Sequence, residues 1–377
     1  MSAEPILYAA AAVSGRAFVE RWRGQHPAFW CVLGHTDTCL LPGISSAGVS
    51  EALRPLTPAA DAEVVGLGAP RCLPRLPSNP LGAPGPSGIT RAALQLAAVE
   101  ANFVGAGLRV WPETACLHAG EVPGRRIDFG GAVMDANELF EVGLRLGRDV
   151  AARTSCLVLG ESVPGGTTTA LAVLLALGYA AEGRVSGSTP GNAHALKSRV
   201  ARMALETACL TLQEARHDPL ASVKQVGDPM QPLVVGMTIG ATSSGCEVLL
   251  AGGSQMVAVA ALLKELAGPA VFERVAIGTT RWVARDPSAD MAGLANEVSS
   301  RLAVLAANLD FSTSRHPGLR DYERFLVKEG VGAGGACIAA LACANQSLDV
   351  LHAAIDTVYD QLLGRLSGSD SPDCGRR

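Results

Sequence analysis

Two glycine-rich stretches hold the residues whose types and spacing could do chemistry. The first runs Leu157-Val-Leu-Gly-Glu-Ser-Val-Pro-Gly-Gly-Thr-Thr-Thr-Ala-Leu-Ala-Val-Leu-Leu-Ala-Leu-Gly178, an apolar strand entering a glycine turn and leaving as an apolar helix. Gly160 followed at a P-loop-like distance by Gly165 suggests phosphate binding, but Gly166 stands where a P-loop needs a lysine to reach the outer phosphates of a triphosphate. What remains is a cradle for one phosphate. Gly165 and Gly166 permit close backbone approach, and Thr167 and Thr168 add hydroxyls at a helix N-terminus. The plainer alternative is a tight strand–helix turn without a ligand. Glu161 would be repelled by a phosphate, so within a ligand site it should face a sugar or a base.

The second stretch is Phe325-Leu-Val-Lys-Glu-Gly-Val-Gly-Ala-Gly-Gly-Ala336, followed by an Ala-rich helix. Gly330, Gly332 and Gly335 satisfy the dinucleotide fingerprint G-x-G-x-x-G, yet the context does not. Asp321–Val327 reads as helical rather than as a strand, and the acid nearest the required offset, Asp356, falls inside a helix. Glu329 is the informative residue. It is fixed between Lys328 and the glycines, beside apolar Leu326 and Val327, where partial burial would raise its pKa and make it a general base. A solvated glutamate at a helix end is the competing reading.

Other features carry less. Leu250-Ala-Gly-Gly-Ser-Gln-Met repeats the strand–Gly-Gly–helix logic through Gly252 and Gly253, and could line the same crevice. Val226-Gly-Asp-Pro-Met-Gln-Pro232 is turn chemistry. Lys197 begins a helix, a position at which a lysine is ordinarily solvated. His35, Asp37 and His316 have no metal-ligand spacing, and neither a Gly-x-Ser-x-Gly elbow nor an HExxH motif occurs. The 10 cysteines are scattered without a Cys-x-x-Cys pair, as expected of small buried hydrophobes in a reducing compartment.

Positioning these loops is the work of a core built from small side chains. Of 377 residues, 48% are hydrophobic and only 4% aromatic, which suits helices packed closely on a parallel sheet. Phe29–Gly34, Val64–Gly68, Phe103–Ala106, Cys156–Gly160, Val248–Gly252, Val275–Gly278 and Ala307–Ser312 read as buried strands. Between them Arg91–Ala101, Glu138–Ala152, Thr168–Leu177, Ala193–Leu212 and Ser254–Ala267 have helical period. The expectation is an α/β fold: a doubly wound, mostly parallel sheet with helices on both faces, plus a smaller helical subdomain from the chain ends. Its parts are residues 1–54 with the first strands, a Pro-rich insert 55–86, an α/β core 87–325, the Gly-rich loop and C-terminal helices 326–365, and a disordered tail 366–377. The insert holds eight of the 22 prolines and reads as a lid, a dimer arm or a surface excursion.

Net charge is −4 with no Lys/Arg block, which argues against a nucleic-acid groove. The longest apolar runs fall short of a membrane span: Ala170–Ala181 is too short, and Val248–Leu263 is interrupted by Ser254 and Gln255. Glu4 sits where a signal peptide would be basic, so the N-terminus is expected to form a first strand and the protein to be cytoplasmic.

The two glycine loops, in this order, resemble the nicotinate-nucleotide–dimethylbenzimidazole phosphoribosyltransferase family of cobalamin synthesis. Gly160-Glu-Ser-Val-Pro-Gly-Gly-Thr-Thr-Thr is similar to its strand-turn-helix motif, and Lys328-Glu-Gly-Val-Gly-Ala to its base-bearing motif. Gly252-Gly-Ser-Gln, the stretch around Lys197, and Asp128-Phe before the Val133–Leu146 helix fall in the family's order. The likeness extends from Phe103 to Ala344, with an echo at Leu33-Gly-His-Thr-Asp, and looks closest to a divergent branch marked by Pro42-Gly-Ile-Ser-Ser-Ala-Gly and the Pro-rich insert. Gly166 replaces the family's Asn, and Val163 and Pro164 its Gly-Ile pair, which leaves the accepting base open.

The resemblance implies a pentosyltransferase that moves the 5-phosphoribosyl group from nicotinate mononucleotide to a benzimidazole-like or purine base with inversion, in lower-ligand synthesis for cobamides. It implies Glu329 as catalytic base, and nucleotide binding by Gly160, Glu161, Ser162, Gly165, Gly166, Thr167 and Thr168, with Lys197 at the phosphate or ribose. Gly252, Gly253, Val327, Gly330 and Gly332 would line the site, with Ser312 and Ser314 as further carry-overs. A homodimer is also implied. The chemistry asks for no cofactor or metal: nicotinate leaves as a neutral ring, and one carboxylate suffices to take the proton of the incoming base. A silent nucleotide-binding regulator or scaffold would keep the same cradle without turnover.

Overall fold

A computed structural model describes residues 4–188 and 190–368. Eight strands form one sheet among the described residues: β1 (Ile6–Ala10), β2 (Ala28–Gly34), β3 (Ala101–Ala106), β4 (Leu117–Gly120), β5 (Cys156–Ser162), β6 (Glu247–Ala251), β7 (Val275–Thr280) and β8 (Ala303–Ala307). Their order is β1-β8-β7-β6-β5-β2-β3-β4, and every adjacent pair is parallel except β1 with β8. The doubly wound, mostly parallel α/β sheet is therefore present. Its central strands are apolar over most of their length because both faces are covered. Along β5, Leu157 and Leu159 point into one core while Cys156 and Val158 point into the other.

The first core is filled by the helices Gly166–Ala176, Met230–Ser243 and Ser254–Ala267. The second is filled by Ser87–Ala97 and by the chain-end helices Ala12–Trp22, Ala333–Ala342 and Leu348–Gly368. Residues 369–377 of the expected tail lie outside the described residues. No helix among the described residues is long and apolar enough to cross a membrane.

Small residues bring the helices Ala136–Ala151 and Met230–Ser243 into backbone contact. A Cβ on Gly143 would lie 2.4 Å from the Leu233 carbonyl oxygen, and one on Gly147 2.1 Å from that of Met237.

Three expectations are corrected. Val64–Gly68 is not a strand but the end of the helix Thr57–Leu67, nine residues of which are buried. A short apolar run buried on all sides looks the same in either conformation. The strand expected at Ala307–Ser312 is β8, which ends at Ala307. Beyond it Asp310 Oδ1 accepts from the Ser312 N–H at 2.9 Å, an Asx turn that stops the strand. Asp321–Val327 is helical only as a 3₁₀ turn over Asp321–Arg324, after which Phe325 takes φ 58° and the chain opens into the Glu329 loop. Edge strand β4 had no signal because Leu117 and His118 are exposed.

The segment after Thr57–Leu67 is stitched to the Glu329 loop, to the 3₁₀ turn before it and to the helix Leu348–Gly368. Asn79 Nδ2 donates to the Leu326 carbonyl (3.1 Å), Tyr322 Oη to that of Pro84 (3.0 Å), and Tyr359 Oη to that of Gly85 (2.9 Å).

Candidate functional site

At the carboxyl ends of β5, β6 and β7 a cleft opens, where ligands bind in sheets of this kind. Glu161–Thr167, Gly253–Gln255 and Val327–Val331 form its floor, with Ser186–Ser188 and Lys197 on one side. Ser45–Gly48, Asp61, Ser78–Asn79 and Gly85–Pro86 complete the wall.

The two glycine loops touch through their backbones. A Cβ on Gly160 would lie 3.0 Å from Gly332 Cα, and the Val331 N–H donates to the Glu161 carbonyl at 2.8 Å. Gly160 and Gly332 are thus spacers beneath the cleft rather than lining residues, as are Gly252 and Thr168. Thr168 is fully buried in the helix Gly166–Ala176, while Thr167 faces the cleft. At Gly166 a Cβ would sit 2.2 Å from Gln255 Nε2, so the Gln255 amide fills the space a side chain would need.

Glu329 sits just before the helix Ala333–Ala342, whose first free N–H groups aim at it. Its Oε1 accepts from Gly330 N–H at 3.1 Å, and Gly334 N–H lies 3.2 Å from both carboxyl oxygens. Gly334 is obligatory there, since a Cβ would meet Thr279 C at 2.1 Å. Burial pushes the Glu329 carboxyl up to about 7, although the Gly330 and Gly334 amides hold part of it back. Glu161 is buried close by, and its Oε2 accepts from Gln255 Nε2 at 2.7 Å. Burial, then the charges of Asp228 and Glu329, raise it to about 8. Asp228, reached by Thr169 Oγ1 at 2.5 Å, is raised by burial to about 6.

Lys197 corrects the expectation of a solvated residue: only 2% of it is exposed. Its Nζ would lie 2.7 Å from a Cβ on Gly187, beside Thr167. Burial, with the nearby Lys328 cation, lowers its ammonium to about 8. Lys328 has a different task. Its Nζ donates to Asp286 Oδ2 at 2.6 Å and to Asn192 Oδ1 at 2.9 Å, and Asp286 Oδ2 also accepts from Ser186 Oγ at 2.6 Å. This buried network ties the Ser186–Ser188 wall to the Glu329 loop.

The structure brings together Glu161, Ser162, Gly165, Gly166, Thr167, Lys197, Gly253, Val327, Glu329 and Gly330. It does not bring Ser312 or Ser314 to the cleft. Ser312 is exposed, and Ser314 Oγ donates to Asp356 Oδ1 at 2.6 Å because the chain leaves β8 toward the last helix. Residues missed in the sequence include Asp61, Asn79, the Ser186–Ser188 wall and Lys328, the last visible only as Glu329's neighbour. Gln255 and Ser45–Gly48 stand in sequence motifs that give them no role of their own. Among the described residues no group of three or more His, Cys, Asp or Glu could hold a metal.

Comparison with known proteins agrees with this architecture. The fold is that of CobT from Thermus thermophilus, with a TM-score of 0.55 at 16% identity over 87% of this chain and 84% of that one. It is shared by the nicotinate-nucleotide–dimethylbenzimidazole phosphoribosyltransferase structure from the same organism (TM-score 0.51, 16% identity, 97% and 91% covered). Residues 130–279 match the model of a family described as phosphoribosyltransferase. A UPF0284 protein of Gloeobacter violaceus is 45% identical over 364 residues, covering 94% of each chain. Another, from Methanothermobacter thermautotrophicus, is 42% identical over 327 residues, covering 86% of this chain and 90% of its own. The chain belongs to the UPF0284 family, and its fold is the one seen in the two Thermus thermophilus structures.

Proposed function

We propose that this cleft transfers the 5-phosphoribosyl group of nicotinate mononucleotide to an aromatic nitrogen base, releasing nicotinate. The observation that carries the reading is Glu329, a half-buried carboxyl with a pKa raised to about 7, lining the same cleft as Thr167 and Lys197. Thr167, the Gly165 N–H and the Lys197 ammonium supply donors and charge for one phosphate, while the Gly166 N–H is spent on the Val163 carbonyl. A ring nitrogen of the base attacks the anomeric carbon while the bond to nicotinate breaks, its electron pair neutralising the pyridinium. The attacking base becomes cationic and passes the proton on its other nitrogen to Glu329. Displacement at one carbon inverts it, giving an α-riboside. Glu329 contributes roughly 10²–10⁴-fold, and holding both rings against the ribose supplies much of the rest. We place the reaction in lower-ligand synthesis for cobamides, carried out by a cytoplasmic homodimer.

The test is incubation with nicotinate mononucleotide and a panel of bases, following nicotinate by chromatography. Base-dependent release is expected, falling by roughly 10²–10⁴-fold in Glu329→Gln while nucleotide binding persists. Full turnover in that variant would remove Glu329 from the mechanism. Nucleotide binding with no release from any base would instead define a nucleotide-binding protein without turnover.

A further inference from the structure

Asp61 belongs to the cleft but has no part in the transfer just described. It lies on the helix Thr57–Leu67, is 4% exposed, and makes no ion pair among the described residues. Its Oδ2 accepts from Ser162 Oγ at 2.9 Å and the nearby Ser87 hydroxyl also favours its charge, whereas its buried Oδ1 has no partner at hydrogen-bond distance. A buried acceptor left unmatched costs about 1–3 kcal/mol, so its retention in a ligand cleft points to a partner that arrives with the ligand. Oδ1 lies over Gly85, where a Cβ would be only 3.8 Å away, and the next residue, Pro86, abuts the Glu329 loop at Gly330. The phosphate-facing groups gather elsewhere, with Lys197 and Thr167 around Gly187.

A carboxyl at this place suits neither the phosphate nor the carboxylate of nicotinate, because it would repel both when ionised. It does suit the incoming ring. Resting on the transferase reading above, we infer that Asp61 selects accepting bases that carry an N–H or O–H donor away from the attacking nitrogen, such as an exocyclic amino group or a ring hydroxyl. A ring bearing only methyl groups there would leave Oδ1 unpaired and is disfavoured. Burial raises the Asp61 carboxyl to about 7, with the Ser162 and Ser87 hydroxyls offsetting part of that rise, and a donor from the ligand would favour the ionised form.

Two pairs of bases differing by one donor test this on the full chain: adenine against purine, and 5-hydroxybenzimidazole against benzimidazole. Calorimetric Kd values and the kcat/KM for nicotinate release are measured for each. The wild type should prefer the donor-bearing member by roughly tenfold or more in both readouts. Asp61→Ala should collapse the ratio to within about twofold, and Asp61→Asn, isosteric and still an acceptor, should retain part of it. A thermal melt of each variant establishes that it is folded. Equal affinities in the wild type, a preference that survives Asp61→Ala, or a loss confined to nicotinate mononucleotide affinity would overturn the assignment while leaving the transferase intact. Absence of both base binding and nicotinate release would overturn the transferase reading itself.

Discussion

In the proposed transfer Glu329 would accept a proton near neutral pH while sharing its surroundings with Glu161, whose carboxyl, raised to about 8, stays mostly protonated there. That proton spares Glu329 a full negative neighbour, and the Gly330 and Gly334 amides stabilise its own charge. The consequence is a pH profile. Activity should rise with pH through about 7 as Glu329 ionises, and kcat/KM for the nucleotide should fall above about 8 as Lys197 loses its charge. A bound phosphate raises the Lys197 pKa, so kcat should retain its plateau further into the alkaline range. Lys197→Met should weaken nucleotide binding and abolish the falling limb. A profile flat from about pH 6 to 9 would contradict both assignments.

Each of these groups is held by an element whose small residues permit close approach. The helix Gly166–Ala176 begins where Gly165 takes φ 84° against Cys39, and no side chain fits there without displacing the Cys39 backbone. The same economy joins Ala136–Ala151 to Met230–Ser243 through Gly143, Gly147, Gly236 and Gly240, each of whose Cβ positions would fall within 2.4 Å of a facing carbonyl oxygen. Gly147→Ala would force these helices apart, and overpacking of this kind costs about 1–3 kcal/mol. Thermal denaturation should show a lowered melting temperature despite alanine's better helix propensity. An unchanged or higher midpoint would mean that the helices separate easily.

At the scale of the whole molecule, the cleft and the core behind it burden the fold with carboxyls whose burial favours the neutral form. Asp61, Glu161, Asp228 and Glu329 are raised to about 7, 8, 6 and 7 by burial. A carboxyl with a raised folded pKa contributes most below its unfolded value and loses that contribution as pH climbs through the folded one. Asp286 works the other way: against the upward pull of burial, hydrogen bonds from Asn192 and Lys328 hold it far below the usual range, so its contribution is lost only on acidification. Stability should therefore decline from about pH 5 to about pH 8, and Glu161→Gln should flatten that decline. Melting temperatures across this range decide the matter, and a midpoint that rises with pH would refute it.

Much of this was legible in the chain itself. Apolar runs such as Leu157–Gly160 and Val248–Ala251, each followed by glycines and a helical period, dictate a parallel sheet with loops at its carboxyl end, because only strands buried on both faces can be apolar throughout. The place of Glu329 in the cleft was legible too, between Lys328 and a run of glycines and beside aliphatic Leu326 and Val327. Tertiary structure alone decided the rest. Burial of Lys197, the Lys328–Asp286 pairing and the arrival of Asp61 from a Pro-rich stretch join residues separated by tens to hundreds of positions, and local pattern carries no record of such pairings. Thr57–Leu67 defeated the pattern for a related reason. Surrounded by protein on nearly every side, it shows no polar face from which its period could be read.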